Sequence, residues 1–389
     1  MAKVYSIPEE IAEQATIVRS ADERSRAGGS RPRLLQRAGT RPGQPALRAV
    51  VWRRLLLGVE FLAILLWTVA FARPYLDMDP SVMPTGREFG SAIQVHHLWM
   101  QMRECGWCAL WYGNAGGGFP SFAEPTGSQL HPLVIAATLT WGVLNGAKVA
   151  LAAAFLMAGL AQWWLAYELG VGRIARIWSA GMAVVAGNLS ARMELGGFSL
   201  LMSTATCTLV LPSLVAFARS GRRRSAILLG VALALLAVAG DGYLQVAMAF
   251  SLPLALLLIQ WKLEWVMLLA RRSVLVAVLA LLLAAPFLVP FLHFLPEFAK
   301  DHDPSFKTAQ PFQYLPLNLV ISDLQYYTSD ALRKLPYPSH YGNYVGWIPV
   351  LLAFWALRGG RDTKDRRVIA FLAGFVFLPL WLGSAVPQA

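Results

Sequence analysis

The sequence predicts an all-α fold: a polytopic transmembrane helix bundle of about nine spans, with a large first external loop that carries an interfacial amphipathic helix. Three observations predict it. Of the 389 residues, 56% are hydrophobic and only 14% are charged, whereas an ordinary soluble domain carries about 25% charged residues. Nearly uncharged runs of about 18 residues recur along the chain, the length that crosses hydrocarbon as a helix. The basic residues gather in the N-terminal tail and in short turns between apolar runs, as in cytoplasmic loops. The net charge of +12 is therefore a topology signal. Membrane lipids are the expected surroundings, and no nucleic-acid partner is expected. Three cysteines are too few for a disulfide scaffold.

Two parts follow from this composition. Residues 1–52 form a basic tail rich in Arg, Gly, Ser and Pro, expected to be disordered and cytoplasmic. Residues 53–389 form the transmembrane domain, with external loops over 73–146 and 293–346. The first span covers 55–72 and leaves the cytoplasm after Arg53 and Arg54, as a signal anchor rather than a cleaved leader. The second covers 148–169 and returns to Arg173 and Arg176. Spans over 177–189, 198–218, 226–239, 243–261 and 274–292 alternate outward and inward. Pro286 and Pro290 kink the outer half of the last of these. Spans over 347–357 and 368–382 complete the set. All six histidines, with Asp77, Asp79, Glu88, Glu194 and Asp241, then fall at the outer face. That asymmetry marks where chemistry would lie.

The first external loop holds the densest information. Asp77 and Asp79 lie just past the first span. Residues 92–104 read as a helix lying flat on the interface, with Ile93, His97, Met100 and Glu104 near one stripe. His96 and His97 point about 100° apart on a helix, so only one faces a site, and His97 is expected to face inward. Gly113 to Gly118 make a tight turn closed by Phe119-Pro120. No Lys-Ser or Lys-Thr pair follows it, so it is not a P-loop. Residues 130–144 re-enter the apolar region as a short helix. Cys105-Gly106-Trp107-Cys108 has redox-motif spacing without a βαβ context. A local disulfide and a zinc site with a neighbouring histidine stay open as alternatives. The tyrosines and prolines of the second loop suit either sugar stacking or a membrane interface.

These features resemble the GT-C superfamily of membrane glycosyltransferases, and its bacterial YfhO-like branch in particular. The resemblance is carried by the acid after the first span, the flat helix Ile93 to Glu104, Cys108-Ala-Leu-Trp-Tyr-Gly113, Gly117-Gly-Phe-Pro120 and Leu130-His-Pro132. Gly240-Asp-Gly-Tyr-Leu-Gln245 is similar to a Gly-His-x-Gln segment, with Asp241 where that pattern has His. The resemblance implies transfer of a sugar from a polyprenyl-phosphate carrier to a glycan or lipid acceptor, at the outer face of a bacterial plasma membrane. It implies Glu88 as the base on the acceptor hydroxyl, with Asp79 and Asp77 next. Arg192, Arg87 and Arg103 are the expected phosphate contacts. His97, Asp241, Glu194 and His131 are the further expected substrate contacts. A divalent cation is compatible with the reading, but no metal ligands are assigned. A flippase or transporter for a lipid-linked sugar, and a non-catalytic scaffold subunit, are the competing readings.

Overall fold

The computed structural model describes residues 44–84, 86, 89–113, 117–297, 310–328, 342–359 and 363–382. The chain divides into two compact units, residues 1–55 and 56–389. The described part of the first, residues 44–55, is helical throughout.

The fold is mostly helical, with one two-stranded hairpin among the described residues. In chain order the helices are α1 (Gln44–Ala72), α2 (Phe89–Cys105), α3 (Pro132–Glu168), α4 (Arg173–Val184), α5 (Gly187–Leu195) and α6 (Phe198–Ser220). They continue as α7 (Arg223–Ala237), α8 (Gly242–Ser251), α9 (Leu263–Phe294), α10 (Trp347–Gly359) and α11 (Thr363–Leu382). Strands β1 (Trp111–Tyr112) and β2 (Phe119–Pro120) pair antiparallel. Among the described residues, four helical stretches are long and apolar enough to cross a membrane: Arg54–Tyr75, Pro132–Glu168, Phe198–Ser220 and Leu263–Glu297. Three of them match the first, fourth and seventh predicted spans.

The second predicted span begins much earlier than expected. Helix α3 has 37 residues, while a crossing needs about 20. Gly142 explains the excess. Its φ of 78° and ψ of −170° break the helix, a conformation open to glycine alone. The short helix expected over 130–144 is the arm Pro132–Trp141 before that break. The arm folds back on the longer segment: a Cβ on Gly146 would lie 2.8 Å from Thr138 Cα and 2.9 Å from Ala137 O. In a continuous helix, residues eight apart are about 12 Å apart along the axis.

The third predicted span is two helices, α4 and α5, broken at Val185–Ala186. The cause is a tertiary contact. Gly187 N–H donates to Tyr344 O at 2.7 Å, and a Cβ on Gly187 would lie 2.6 Å from Tyr344 Cβ. The fifth predicted span is α7, with 15 residues. The sixth is α8 followed by a 3-10 turn to Leu258. The eighth is α10, with 13 residues. The ninth is α11, whose first turn carries Lys364, Asp365, Arg366 and Arg367.

Packing centres on α3. It lies against α2, α4 and α6, and α7 bridges α6 to α9. Two buried charges fix its ends. Lys148 is 1% exposed. Its ammonium donates to Asp77 O, to Asp79 O at 2.7 Å and to Asn145 Oδ1 at 3.3 Å. Toward the other end, Glu60 of α1 is 3% exposed. Its carboxylate accepts from Arg176 Nη2 at 2.8 Å and from Trp163 Nε1 at 2.7 Å, with Arg173 Nε at 3.8 Å. The Arg176 guanidinium lies over the rings of Tyr167 and Trp163, at 5.1 and 5.9 Å from their centroids. The sequence placed Arg173 and Arg176 in a basic inner turn; the carboxylate partner inside the first span was not anticipated.

Removing one member of a buried ion pair strands the other, which costs on the order of 3–5 kcal/mol. Glu60→Ala is therefore expected to lower the melting temperature of the protein in detergent. Glu60→Leu combined with Arg176→Met should recover part of the loss. An unchanged melting temperature in Glu60→Ala would show that the pair does not hold α1 to α3 and α4.

Candidate functional site

A cavity of about 360 Å³ opens at the bundle end that carries the loop between α1 and α3. Four pieces build its wall. Helix α2 presents Gln94, Val95 and Leu98, and the hairpin presents Tyr112 and Phe119. A strap over residues 121–129 contributes Ser121, Glu124, Thr126, Gly127 and Gln129. The α5–α6 turn contributes Gly196 to Ser199.

Each piece is held by local chemistry. In the hairpin, the Tyr112 and Phe119 rings lie 5.2 Å apart. Gly118, at φ +94°, leaves room for the Trp111 indole, whose Nε1 would be 2.2 Å from a Cβ there. In the strap, Glu124 Oε1 accepts from Thr126 N at 3.1 Å and from the Thr126 hydroxyl. Gln129 Nε2 donates to Ser121 O at 3.0 Å and to Glu124 O at 3.2 Å. Trp99 Nε1 donates to Gln129 O at 2.6 Å, which ties the strap to α2. Below the strap, a Cβ on Gly240 would lie 2.7 Å from both Thr126 O and Gly127 O. Only glycine admits that approach at its φ of +81°.

Two neutral histidines lie under this assembly. His96 is fully buried, with Nδ1 2.5 Å from Thr138 Oγ1. The Thr138 hydroxyl donates to Val134 O at 2.7 Å, so it must accept from His96, which places the imidazole proton on Nδ1. The lone pair on Nε2 is buried without a hydrogen-bond partner among the described residues, and the ring lies 5.2 Å from that of Phe198. His131 is the opposite tautomer. Its Nδ1 accepts from Leu133 N at 3.3 Å, as the N-cap of α3. Its Nε2 therefore carries the proton and donates to Thr206 Oγ1 at 3.3 Å. Burial pushes His96 down to about 3 and His131 down to about 4. Arg192, at the end of α5, is also lowered by burial, opposed by the attraction of Asp241. Asp241 is the one non-glycine residue with positive φ among the described residues, at 53°.

The structure brings some of the predicted residues together. Arg192 and Asp241 interact, and His131 caps the arm of α3. The turn at Asp77 and Asp79 is secured through its backbone carbonyls by Lys148. The carboxylates themselves are exposed and cap local turns. Asp77 Oδ1 accepts from Asp79 N, and Asp79 Oδ1 accepts from the amide and hydroxyl of Ser81. The Ser81 bonds hold Asp79 below the usual carboxylate value. Neither acid lines the cavity. His97 does not face inward: it is exposed, and His96 takes the buried position. The buried residues of α2 include Phe89 and His96 on one stripe and Leu98 on nearly the opposite side, so the stripe through Ile93, His97, Met100 and Glu104 is also corrected. Arg103 is exposed. Glu88 and Arg87 lie outside the described residues, as does the side chain of Glu194. Cys105 and Cys108 form a disulfide with Cα atoms 5.7 Å apart. No cluster of three metal-ligating side chains exists among the described residues.

Three residues here escape the sequence reading, Glu124, Gln129 and Lys148, while His96 takes the place expected for its neighbour His97. For Glu124 a signal existed, since an acid two residues before Thr in Glu124-Pro-Thr-Gly127 marks a side-chain-capped turn. Against known proteins, neither a family model nor a curated sequence matches the chain.

Both histidines have folded values below the ordinary 6.5, so the unfolded chain binds more protons as pH falls. Stability should be full above about pH 6.5 and fall by about 1.4 kcal/mol per pH unit per histidine below it, down toward pH 4. Thermal unfolding in detergent at pH 7.5, 5.5 and 4.5 measures the slope, and His96→Asn should make it shallower. An identical slope in that variant would deny His96 its part.

Proposed function

We propose that this protein is a membrane glycosyltransferase. In this reading it moves a sugar from a polyprenyl-phosphate carrier to a glycan or lipid acceptor on the outer face of a bacterial plasma membrane. In this reading the four long apolar helices, the shorter ones between them and the two that follow make up nine crossings, with the basic tail in the cytoplasm. The observation that carries the reading is the cavity built by the loop between the first two long apolar helices. It offers a carboxylate, amide and hydroxyl groups and aromatic faces at one end of a lipid-embedded bundle, where a lipid-borne donor can arrive by lateral diffusion.

The transfer needs a base to take the proton of the acceptor hydroxyl as its oxygen attacks the anomeric carbon. The bond from that carbon to the phosphate oxygen breaks, and polyprenyl phosphate leaves with the electron pair. Glu124 is the carboxylate that the cavity wall presents. Glu88, one residue before α2, is the one that the family resemblance favours. Asp77 and Asp79 are less suited, because neither lines the cavity. Arg192 is engaged with Asp241. The cation facing the leaving phosphate is therefore better supplied by Arg103 of α2, or by Arg87, which precedes that helix in sequence.

A carrier for a lipid-linked sugar is the second reading. The broken helix at Gly142 and the buried Lys148 favour it, since interrupted helices and buried charges line transport paths. Purified protein in lipid vesicles, given a radiolabelled polyprenyl-phosphate hexose, separates the two. The transferase reading expects sugar to leave the lipid and expects Glu124→Gln or Glu88→Gln to reduce release by about 10²-fold or more, the usual scale for loss of a general base. Movement of the intact lipid-linked sugar between leaflets without release would establish the carrier instead.

A further inference from the structure

We propose that the cavity under the strap is a subsite for one uncharged sugar ring, and that Glu124 makes it reject anionic sugars; this rests on the glycosyltransferase reading.

Size comes first. At about 360 Å³ the cavity lies near the lower end of small-molecule sites, which span about 300–1,000 Å³. It suits one ring rather than an extended glycan. The wall then demands a ligand of mixed character. Tyr112 and Phe119 offer aromatic faces, tilted 48° to one another, against which the C–H face of a pyranose packs. The polar groups between them split into acceptors and donors. Gln129 is committed to the strap: its Nε2 donates to two strap carbonyls, and its Oε1 is buried with no hydrogen-bond partner among the described residues. Glu124 is the acceptor: the residue lines the cavity, and Oε1 is bound within the strap, which leaves Oε2 as the second carboxylate oxygen. Donors come from the opposite side. Ser199 stands in the first turn of α6, where backbone amides lack partners within the helix, and its hydroxyl adds another. A fatty ligand leaves these groups unsatisfied, and a purely ionic one leaves the rings bare. A polyhydroxylated ring meets both.

Charge decides among sugars. Glu124 is a fixed negative charge in a half-enclosed site, where like charges repel more strongly than in bulk water. Hydroxyls are unaffected, so a neutral hexose is accepted and a uronic acid is opposed.

The test measures binding without turnover. Protein in lipid nanodiscs is titrated at low ionic strength with a methyl hexopyranoside and with the methyl glycoside of the corresponding uronic acid, followed by saturation-transfer NMR. The hexoside should bind at least about tenfold more tightly. In Glu124→Gln, which keeps the amide oxygen that caps the strap, the two should bind within about twofold of each other. Phe119→Ala, which leaves Glu124 untouched, should weaken both ligands equally. Equal binding of both glycosides to the unaltered protein, no binding of the hexoside, or discrimination that survives Glu124→Gln would overturn the subsite. Release of sugar from a lipid-linked donor is measured separately. Release without charge-selective binding removes the subsite and keeps the transferase; selective binding without release does the reverse.

Discussion

The loop end of this molecule depends on the ammonium of Lys148. It sits in an apolar helix at 1% exposure, where an unsatisfied cation would be costly. It is satisfied by the backbone, taking the carbonyls of Asp77 and Asp79 together with Asn145 Oδ1. Asn145 Nδ2 adds a bond to Met78 O at 2.8 Å. The turn leaving α1 is thereby pinned to α3 three residues after the Gly142 break. That position fixes where the arm of α3 folds back. The arm in turn supplies Thr138 to His96 and so holds the buried face of α2. The cavity is assembled from elements that meet only because this clamp brings them together.

The same requirement, that polar groups away from water find partners inside the protein, governs the rest of the bundle. Along α6 the hydroxyls of Thr204, Thr206 and Ser213 donate to carbonyls of their own helix. This lets a helix rich in Ser and Thr stay buried, and Thr206 also accepts from His131 at the start of α3. Gln245 serves the opposite purpose. Its Nε2 donates to Leu236 O and Ala237 O, among the carbonyls of the last turn of α7. Glu60 and Arg176 show the costlier solution, in which both charges are retained and each needs the other.

Much of the fold was legible because hydropathy is a bulk property. Runs such as 198–218 and 274–292 declare themselves by length and composition, and the structure returns them as α6 and α9. What stayed hidden depended on single glycines in tertiary contact. Gly187 interrupts the run over 177–189 only because Tyr344, far along the chain, packs against it. Gly142 lengthens the second helix by reversing its first turns. The buried stripe of α2 was misread for a related reason. Ile93, His97 and Glu104 lie at plausible helical spacing, but the neighbour that decides is Thr138 on the arm, and it meets His96. Arg192 and Asp241 were each noticed at helix ends, whereas their meeting required the α5–α6 and α7–α8 turns to be placed in space. Glu124 stands in mid-loop, away from any span end, so hydropathy does not mark it.

Asp241 joins these observations. A residue with a Cβ at φ 53° occupies a region that costs on the order of 1 kcal/mol or more. Such a conformation persists only when its surroundings impose it. Here Gly240 must let the strap carbonyls of Thr126 and Gly127 come close, and Gly242 begins α8 immediately afterwards. Asp241 is caught between those two demands, and its carboxylate offsets the burial of Arg192. The backbone oxygen of Arg192 accepts from Gly197 N at 2.9 Å, so the same residue shapes the α5–α6 turn on the cavity wall. Strap, turn and strained aspartate are thus one connected unit. A change at Asp241 reaches the cavity through Arg192 and the Gly196–Gly197 turn, although Asp241 itself is not part of the lining.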